Sequence, residues 1–331
     1  FVVQFLGGFI SIIAALNGAG LYALLINPIF SSTSLFIVNI LRYPQKIKIT
    51  FNISSLKIIL SYSSYQFLFN LINYFSRNLD KLLIGKYMGM SLLGYYEKSY
   101  RLMMLPLQNI TYAITPVMHP IFSDFQNDLK KLSSSYLKVV RLLAFIGFPF
   151  SILLWFTARE AVLIVFGDQW INSIPVFQVL SLSVGIQIIL STSGAIFQAA
   201  NATKLLFISG LLSSILNVSG ILIGIFIFNS LIAVAWCITI TFTMNFIQCY
   251  YIMYRYTLKT SIINFVKQFK SPVILSIILF STLLFISHLI TISNIFISAL
   301  FKSLIFILIY GLYIQLTKEF DIYRKLKNKL R

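Results

Sequence analysis

The chain has 331 residues, of which 58% are hydrophobic, 16% aromatic and only 10% charged, and its formal net charge is +18. Soluble domains carry about 25% charged residues, so the composition excludes a water-soluble globular fold. Apolar runs that can cross about 30 Å of hydrocarbon as helices of about 20 residues follow one another almost end to end, too continuous for barrel strands; this predicts an all-α, polytopic membrane protein.

In chain order, breaks at Gly, Pro, Asn and charge clusters predict spans at residues 1–16, 21–41, 58–82, 92–117, 139–157, 174–199, 205–228, 231–254, 272–292 and 295–316, ten in all. A chain that opens on Phe1 rather than Met is expected to be a piece of a longer protein. Orientation follows from Lys and Arg in the loops. One alternate set, from Arg42 to the YRKLKNKLR tail, holds 19 of them and the other set only Lys86 and Arg159. Both ends are therefore expected on the cytoplasmic side. The same bias accounts for the net charge without nucleic acid, although the tail would also attract anionic membrane lipid. On that side Phe122, Phe125, Leu129, Leu132 and Tyr136 follow at intervals of 3 and 4 residues, predicting an amphipathic helix on the membrane face.

Five basic residues fall inside spans: Arg77, Lys81, Lys98, Arg101 and Lys302. A charge at mid-bilayer costs about 2.5 to 3.5 kcal/mol on insertion scales, so it faces a cavity or a partner. In the third span Ser63, Gln66, Asn70, Asn73, Arg77 and Asp80 recur every three or four residues. At 100° per residue Gln66 through Asp80 in that series stay within about 40° of one line, with Lys81 about 60° off it. The fourth span repeats the device with Glu97, Arg101, Gln108, Thr111 and Thr115, and the sixth, more weakly, with Ser183, Gln187, Ser191, Gly194 and Gln198. Two readings stand for such stripes: interhelical hydrogen-bond seams, or the wall of an aqueous path. The two guanidinium groups favour the path, and a path for an anion, since Arg grips two oxygens at once. Asp80 is placed to pair with Arg77 and Glu97 with Arg101 along their own helices, while the amides suit sugar hydroxyls.

Other features read as structural. Cys237 and Cys249 share one apolar run and are expected to be inert packing residues. His119 and His288 are isolated, so no metal site is expected. Trp155 and Trp170 suit the interfacial belt, with contact to sugar the alternative for Trp170. The GILIG stretch from Gly220 to Gly224 is a small-xxx-small pattern that packs helices.

The strings NLDKLLIGKYMG, LGYYEKSYRLMMLP, HPIFSDFQND, FGDQW and IFQAANATKLL, in that order, resemble the polysaccharide-transporter branch of the MOP flippase superfamily, the Wzx-type flippases of lipid-linked oligosaccharides. GAGLYALL resembles the turn between the last two helices of the family's amino-terminal lobe. The resemblance implies two six-helix lobes around a cavity with an extra helix pair, a 14-helix fold of which this chain holds the last ten. Residues 1–41 would close the first lobe, 42–57 form a cytoplasmic linker, 58–256 the second lobe, 257–317 the extra pair with its lead-in, and 318–331 a basic cytoplasmic tail. It further implies a non-enzymatic function in the cytoplasmic membrane: translocation of an undecaprenyl-diphosphate-linked repeat unit for capsule or exopolysaccharide assembly, beside other assembly proteins. The family's charged motif falls on Arg77, Asp80 and Lys81, faced by Arg101, and the amides of Gln66, Asn70, Asn73, Gln108 and Gln187 with Glu97 complete the expected substrate path. No cofactor is implied; Asp80 or Glu97 would bind a proton or Na⁺ if transport is gradient-coupled, with ion pairing as the alternative.

Two rivals differ in chemistry. A cation or drug antiporter of the same superfamily needs a net acidic cavity, whereas this cluster sums to a positive charge. A membrane enzyme of polysaccharide assembly needs a large outer loop or an acidic metal motif, and the longest outer loop expected is 158–173, with no Asp-x-Asp in the chain.

Overall fold

The computed structural model describes residues 2–44, 53–123, 125, 128–290, 292–317 and 319, without the side chains of residues 21, 53–59, 61, 62, 73, 76, 77, 113, 115–117, 119–121 and 123. Most of the expected linker, nearly all of the tail and the side chains of Asn73, Arg77, Thr115 and His119 thus lie outside the described residues. The chain divides into two compact units, Phe1–Lys57 and Ile58–Arg331.

In the first unit, α1 (Val2–Leu16) and α2 (Ala23–Arg42) pack as a hairpin. The turn between them uses Gly18 and Gly20 at φ +84° and +52°, where a Cβ would be strained. Close approach is set at Gly7: a Cβ there would sit 2.5 Å from Asn27 Oδ1, an oxygen that also accepts the Ser31 hydroxyl at 3.1 Å.

The second unit opens within the long α3 (Ile53–Tyr87), followed by the nearly as long α4 (Met90–Ser123), α5 (Leu129–Phe156) and the short α6 (Ala158–Phe166). The expected single span over 174–199 is broken into α7 (Ile174–Ser181), α8 (Val184–Leu190) and α9 (Ser193–Ala199). The cause is local. Ser183, Ser191 and Thr192 each turn the hydroxyl back onto the carbonyl three residues earlier, at 2.7 to 2.8 Å, a bond that competes with the helix ladder and bends it. Then follow α10 (Thr203–Leu222) and α11 (Leu231–Ile252), each ending in a π-helical turn, α12 (Ile262–Lys267), α13 (Lys270–Leu289) and α14 (Ile295–Thr317).

The core lies among α4, α5, α7 to α9 and α11, where Tyr96, Met103, Tyr136, Phe177, Phe197 and Tyr250 are fully enclosed. Glycines let the axes close in. An added Cβ on Gly185 would lie 2.8 Å from Gly147 backbone atoms, and the Gly185 N–H freed near the α7/α8 break donates to Ser151 Oγ at 2.7 Å. The GILIG pair packs as expected: a Cβ on Gly220 would meet Thr241 at 2.5 Å and one on Gly224 the Val234 backbone at 2.7 Å. A smaller cluster of Phe145, Leu275 and Leu279 joins α13 and α14 to α5. α14 packs on that cluster through Phe306, Ile309 and Tyr310, while its opposite side turns large apolar residues outward, with Leu300 64% and Leu308 63% exposed, a surface made for lipid.

Among the described residues six helices are long and apolar enough to cross a membrane, or seven if the bent pair Asp168–Ser181 and Val184–Ala199 is one span. The remaining three of the ten expected spans fall on α1, α3 and α4. With 15 residues, α1 is about 22 Å long, short of the hydrocarbon thickness. α3 and α4 are ample at 35 and 34 residues, but they carry the polar stripes and their charges, which is why length and apolarity together do not count them.

One further expectation is corrected. The stripe from Phe122 to Tyr136 does not lie on a membrane face: Phe122, Leu132 and Tyr136 are 2%, 0% and 0% exposed. It is the inward side of the α4 end and the first turns of α5, held by the Tyr136 hydroxyl against those of Tyr250 and Thr192 at 2.7 and 2.9 Å. Intervals of 3 and 4 residues mark a buried side of a helix equally well, and only the neighbours decide between lipid and protein.

Candidate functional site

α3 and α4 meet at a tight turn in which Gly89 adopts φ +97°, a left-handed position suited to glycine. From that turn they run back antiparallel. Asp80 faces Tyr96, Lys81 faces Glu97, and a Cβ on Gly85 would touch Leu93 at 3.0 Å. Asp80 is 4% exposed and Tyr96 wholly buried. One carboxylate oxygen accepts the Tyr96 hydroxyl at 2.6 Å and the other the Lys81 backbone N–H at 2.8 Å. A buried carboxylate needs such donors, since desolvation without them costs several kcal/mol, about 2 to 7 for a neutral group and more for a charge.

The ion pairing differs from the expected one. Lys81 reaches across the turn to Glu97 at 2.9 Å, so Glu97 is taken by the neighbouring helix rather than by Arg101. With side chains 33% and 45% exposed, that bridge is worth about 0 to 1 kcal/mol. Lys98 lies over the rings of Trp170 and Phe166 at 4.8 and 5.0 Å. Arg101 is exposed, and among the described residues no carboxylate pairs with it.

Farther from the turn α3 leans on α9 and α10. Gln198 donates to Gln66 at 3.0 Å, Gln66 donates to Asn70 at 3.3 Å, and a Cβ on Gly210 would clash with the Phe69 ring at 2.5 Å. Asn70 and Gln108 are exposed and Gln66 half-buried. On α8, Gln187 is 9% exposed and donates to Ser183 Oγ at 2.8 Å, while Ser191 accepts the Thr111 hydroxyl at 3.0 Å, an interhelical seam.

The structure therefore separates the predicted residues into two groups. Gln66, Asn70, Lys81, Glu97, Arg101 and Gln108 stay at or near the surface of the unit. Asp80 and Gln187 instead line a partly open cavity of about 290 Å³ bounded by α3, α4 and α8 to α11. The reason is the slow drift of a 3.6-residue helix: ten residues beyond Asn70, Asp80 has turned about 80° away from it. Ser191 and Gly194 of the weaker stripe line that cavity too, whereas sequence reading missed its further polar residues, Ser193, Ser209, Ser213, Asn217 and Asn245. Their signal was available as polar residues inside otherwise apolar spans, for Asn245 bonds Gln248 at 2.7 Å and Asn217 accepts Thr241 at 3.0 Å. It also missed the partner of Lys302. That amine pairs with Glu160 on α6, which is 4% exposed and accepts the Ser298 hydroxyl at 2.6 Å.

Comparison with known proteins adds to this geometry. Residues 1–175 match the family described as polysaccharide biosynthesis protein. The chain is 25% identical over 249 residues to the teichuronic acid biosynthesis protein TuaB of Bacillus subtilis, covering 72% of this chain and 50% of that one. It is 26% identical to the lipopolysaccharide biosynthesis protein WzxC of Escherichia coli, covering 63% and 42%, and 27% identical to the succinoglycan biosynthesis transport protein ExoT of Rhizobium meliloti, covering 56% and 37%. Among solved structures it superposes on the lipid II flippase MurJ in an inward closed conformation, with TM-score 0.68, 18% identity and 98% of this chain and 66% of that one covered, which shows a MurJ-like fold. The matches span about half the length, or less, of these sequence relatives.

Proposed function

Because the chain belongs to the polysaccharide biosynthesis protein family, we propose that it functions in a flippase. Its substrate is an undecaprenyl-diphosphate-linked oligosaccharide repeat unit, moved from the inner to the outer leaflet of the cytoplasmic membrane for capsule or exopolysaccharide assembly, with both ends of this chain cytoplasmic. The observation that carries the reading is Arg101. It is exposed on α4, 11 residues past Met90, or about 17 Å along the helix, and no acid pairs with it among the described residues. A guanidinium cannot face hydrocarbon at that depth without a cost of about 2.5 to 3.5 kcal/mol or more, so this side of α3 and α4 borders a water-filled path. There Arg101, with Arg77 on the preceding helix, neutralises the diphosphate, and Gln66, Asn70 and Gln108 receive sugar hydroxyls. The prenyl chain stays in lipid. The function is transport rather than catalysis, and the names of a transport relative and of the MurJ neighbour support it.

We assign gradient coupling to Asp80 rather than Glu97. Glu97 is occupied by Lys81, whereas Asp80, itself 4% exposed, brings to a partly open cavity its one carboxylate among the described residues, a group able to take up a proton or Na⁺.

The test is replacement of Arg77 and Arg101 by Ala in the full-length protein in its own host. Export of polymer stops while membrane expression persists, and lipid-linked repeat units accumulate at the inner leaflet. Normal polymer from the double variant overturns the assignment.

A further inference from the structure

At the end of the second unit where the sequence concentrates Lys and Arg, α5 meets the junction of α12 and α13 around a pocket of about 470 Å³. Arg141, Lys267 and Lys270 line it, with Glu319 as its only acid among the described residues. Lys267 closes α12 and Lys270 opens α13, so the turn between the helices delivers both amines to one place, beside the positive end of the α13 dipole. Glu319 is brought in from two residues beyond α14. The Tyr313 hydroxyl near the end of that helix bonds the Ser271 carbonyl at 3.1 Å and the Ser271 hydroxyl at 2.9 Å, pinning the exit of α14 to the start of α13. The carboxylate pairs with Arg141 and its side chain is only 12% exposed. Among the described residues no acid pairs with Lys267 or Lys270.

We propose that this pocket binds the phosphate of an anionic phospholipid, and that Glu319 is the internal anion that competes for it. The recognising chemistry is three cations around one partly enclosed anion position, which leaves two positive charges uncompensated when Glu319 fills it. The pocket also has an apolar continuation. Ile274 lines it and is 42% exposed, and Ile278 and Phe285 continue the same side of α13 at 39% and 65% exposure, within about 40° of one line. A headgroup in the pocket would lay an acyl chain along that side, which a free phosphate ion has no use for. Basic pockets between helices on the cytoplasmic side are a known way of holding anionic phospholipid headgroups. The site is separate from the α3–α4 face and does not depend on the flippase reading.

Native mass spectrometry of the full-length, delipidated protein tests it, with dioctanoyl phosphatidylglycerol, dioctanoyl phosphatidylcholine and inorganic phosphate as probes. Phosphatidylglycerol is expected to bind in preference to phosphatidylcholine. K267Q/K270Q weakens phosphatidylglycerol binding by about tenfold or more. E319Q, which removes the competitor and keeps the side-chain volume, strengthens it by about threefold, an opposite change that a misfolded variant could not give. Inorganic phosphate binding as tightly as phosphatidylglycerol makes this a free-anion site and overturns the lipid assignment. Phosphatidylglycerol affinity unchanged in both variants overturns the pocket altogether.

Discussion

Replacing Lys302 by Met strands Glu160. The native pair is well enclosed, with side chains 21% and 5% exposed, and Lys302 also donates to the Phe156 carbonyl at 2.8 Å. Glu160 retains only the Ser298 hydroxyl at 2.6 Å among its described side-chain donors, and its second oxygen is already buried without a hydrogen-bond partner. Breaking a buried pair costs about 3 to 5 kcal/mol, but the carboxylate has an escape by protonation. For a carboxyl whose ordinary value is 4.5, neutralisation at pH 7 costs about 3 kcal/mol and at pH 5 less than about 1 kcal/mol. K302M should therefore destabilise the full-length protein by about 3 kcal/mol at pH 7, with most of that loss gone at pH 5. E160Q/K302M, which leaves no charge to strand, should recover most of it at either pH. Reversible unfolding in detergent, followed by tryptophan fluorescence at the two pH values, measures all three proteins. A penalty for K302M that is the same at both pH values, or a double variant no more stable than K302M, would refute the stranded-charge argument.

The wild-type pair has its own pH dependence. Burial opposes ionisation of Glu160, but the hydrogen bonds from Lys302 and Ser298 outweigh it and hold the carboxyl below its ordinary 4.5. Unfolding then takes up a proton, so this contribution is complete above that ordinary range and disappears as pH falls through the lower folded value; E160Q should flatten the acid limb of a stability profile. Gly185→Ala forces a Cβ to within 2.8 Å of Gly147 backbone atoms and should cost about 1 to 3 kcal/mol or more, whereas Gly194→Ala meets nothing within 4 Å and should be neutral or stabilising by up to about 1 kcal/mol in the same assay. Asp80→Asn should abolish the dependence of transport on a proton or Na⁺ gradient in proteoliposomes while leaving substrate binding intact; transport that still follows the gradient removes Asp80 from coupling.

How much of this was legible beforehand varied with the kind of contact. The GILIG spacing announced a close helix approach because absent side chains leave room whatever helix arrives, and Gly220 and Gly224 do meet Thr241 and Val234. Lys302 was visible as an unmatched charge in a span, but nothing local pointed to Glu160, 142 residues away. The Glu97 partner was misassigned within its own helix, since i, i+4 spacing permits the Arg101 pair and only the Gly89 turn brings Lys81 nearer.

Composition and periodicity by themselves determined that the chain is helical and membrane-embedded, that α3 and α4 carry polar sides, and that charge there is functional or paired, because burial cost and the 3.6-residue repeat act on every segment alone. Tertiary structure decided which way each polar group turned. The packing of α3 and α4 on α8 to α11 put Asp80 and Gln187 on the wall of a partly open cavity and left Arg101 and Gln108 outside it. It also turned the Phe122 to Tyr136 stripe toward protein rather than lipid. A sequence fixes the angle between two side chains on one helix; what stands opposite them is set by helices far away in the chain.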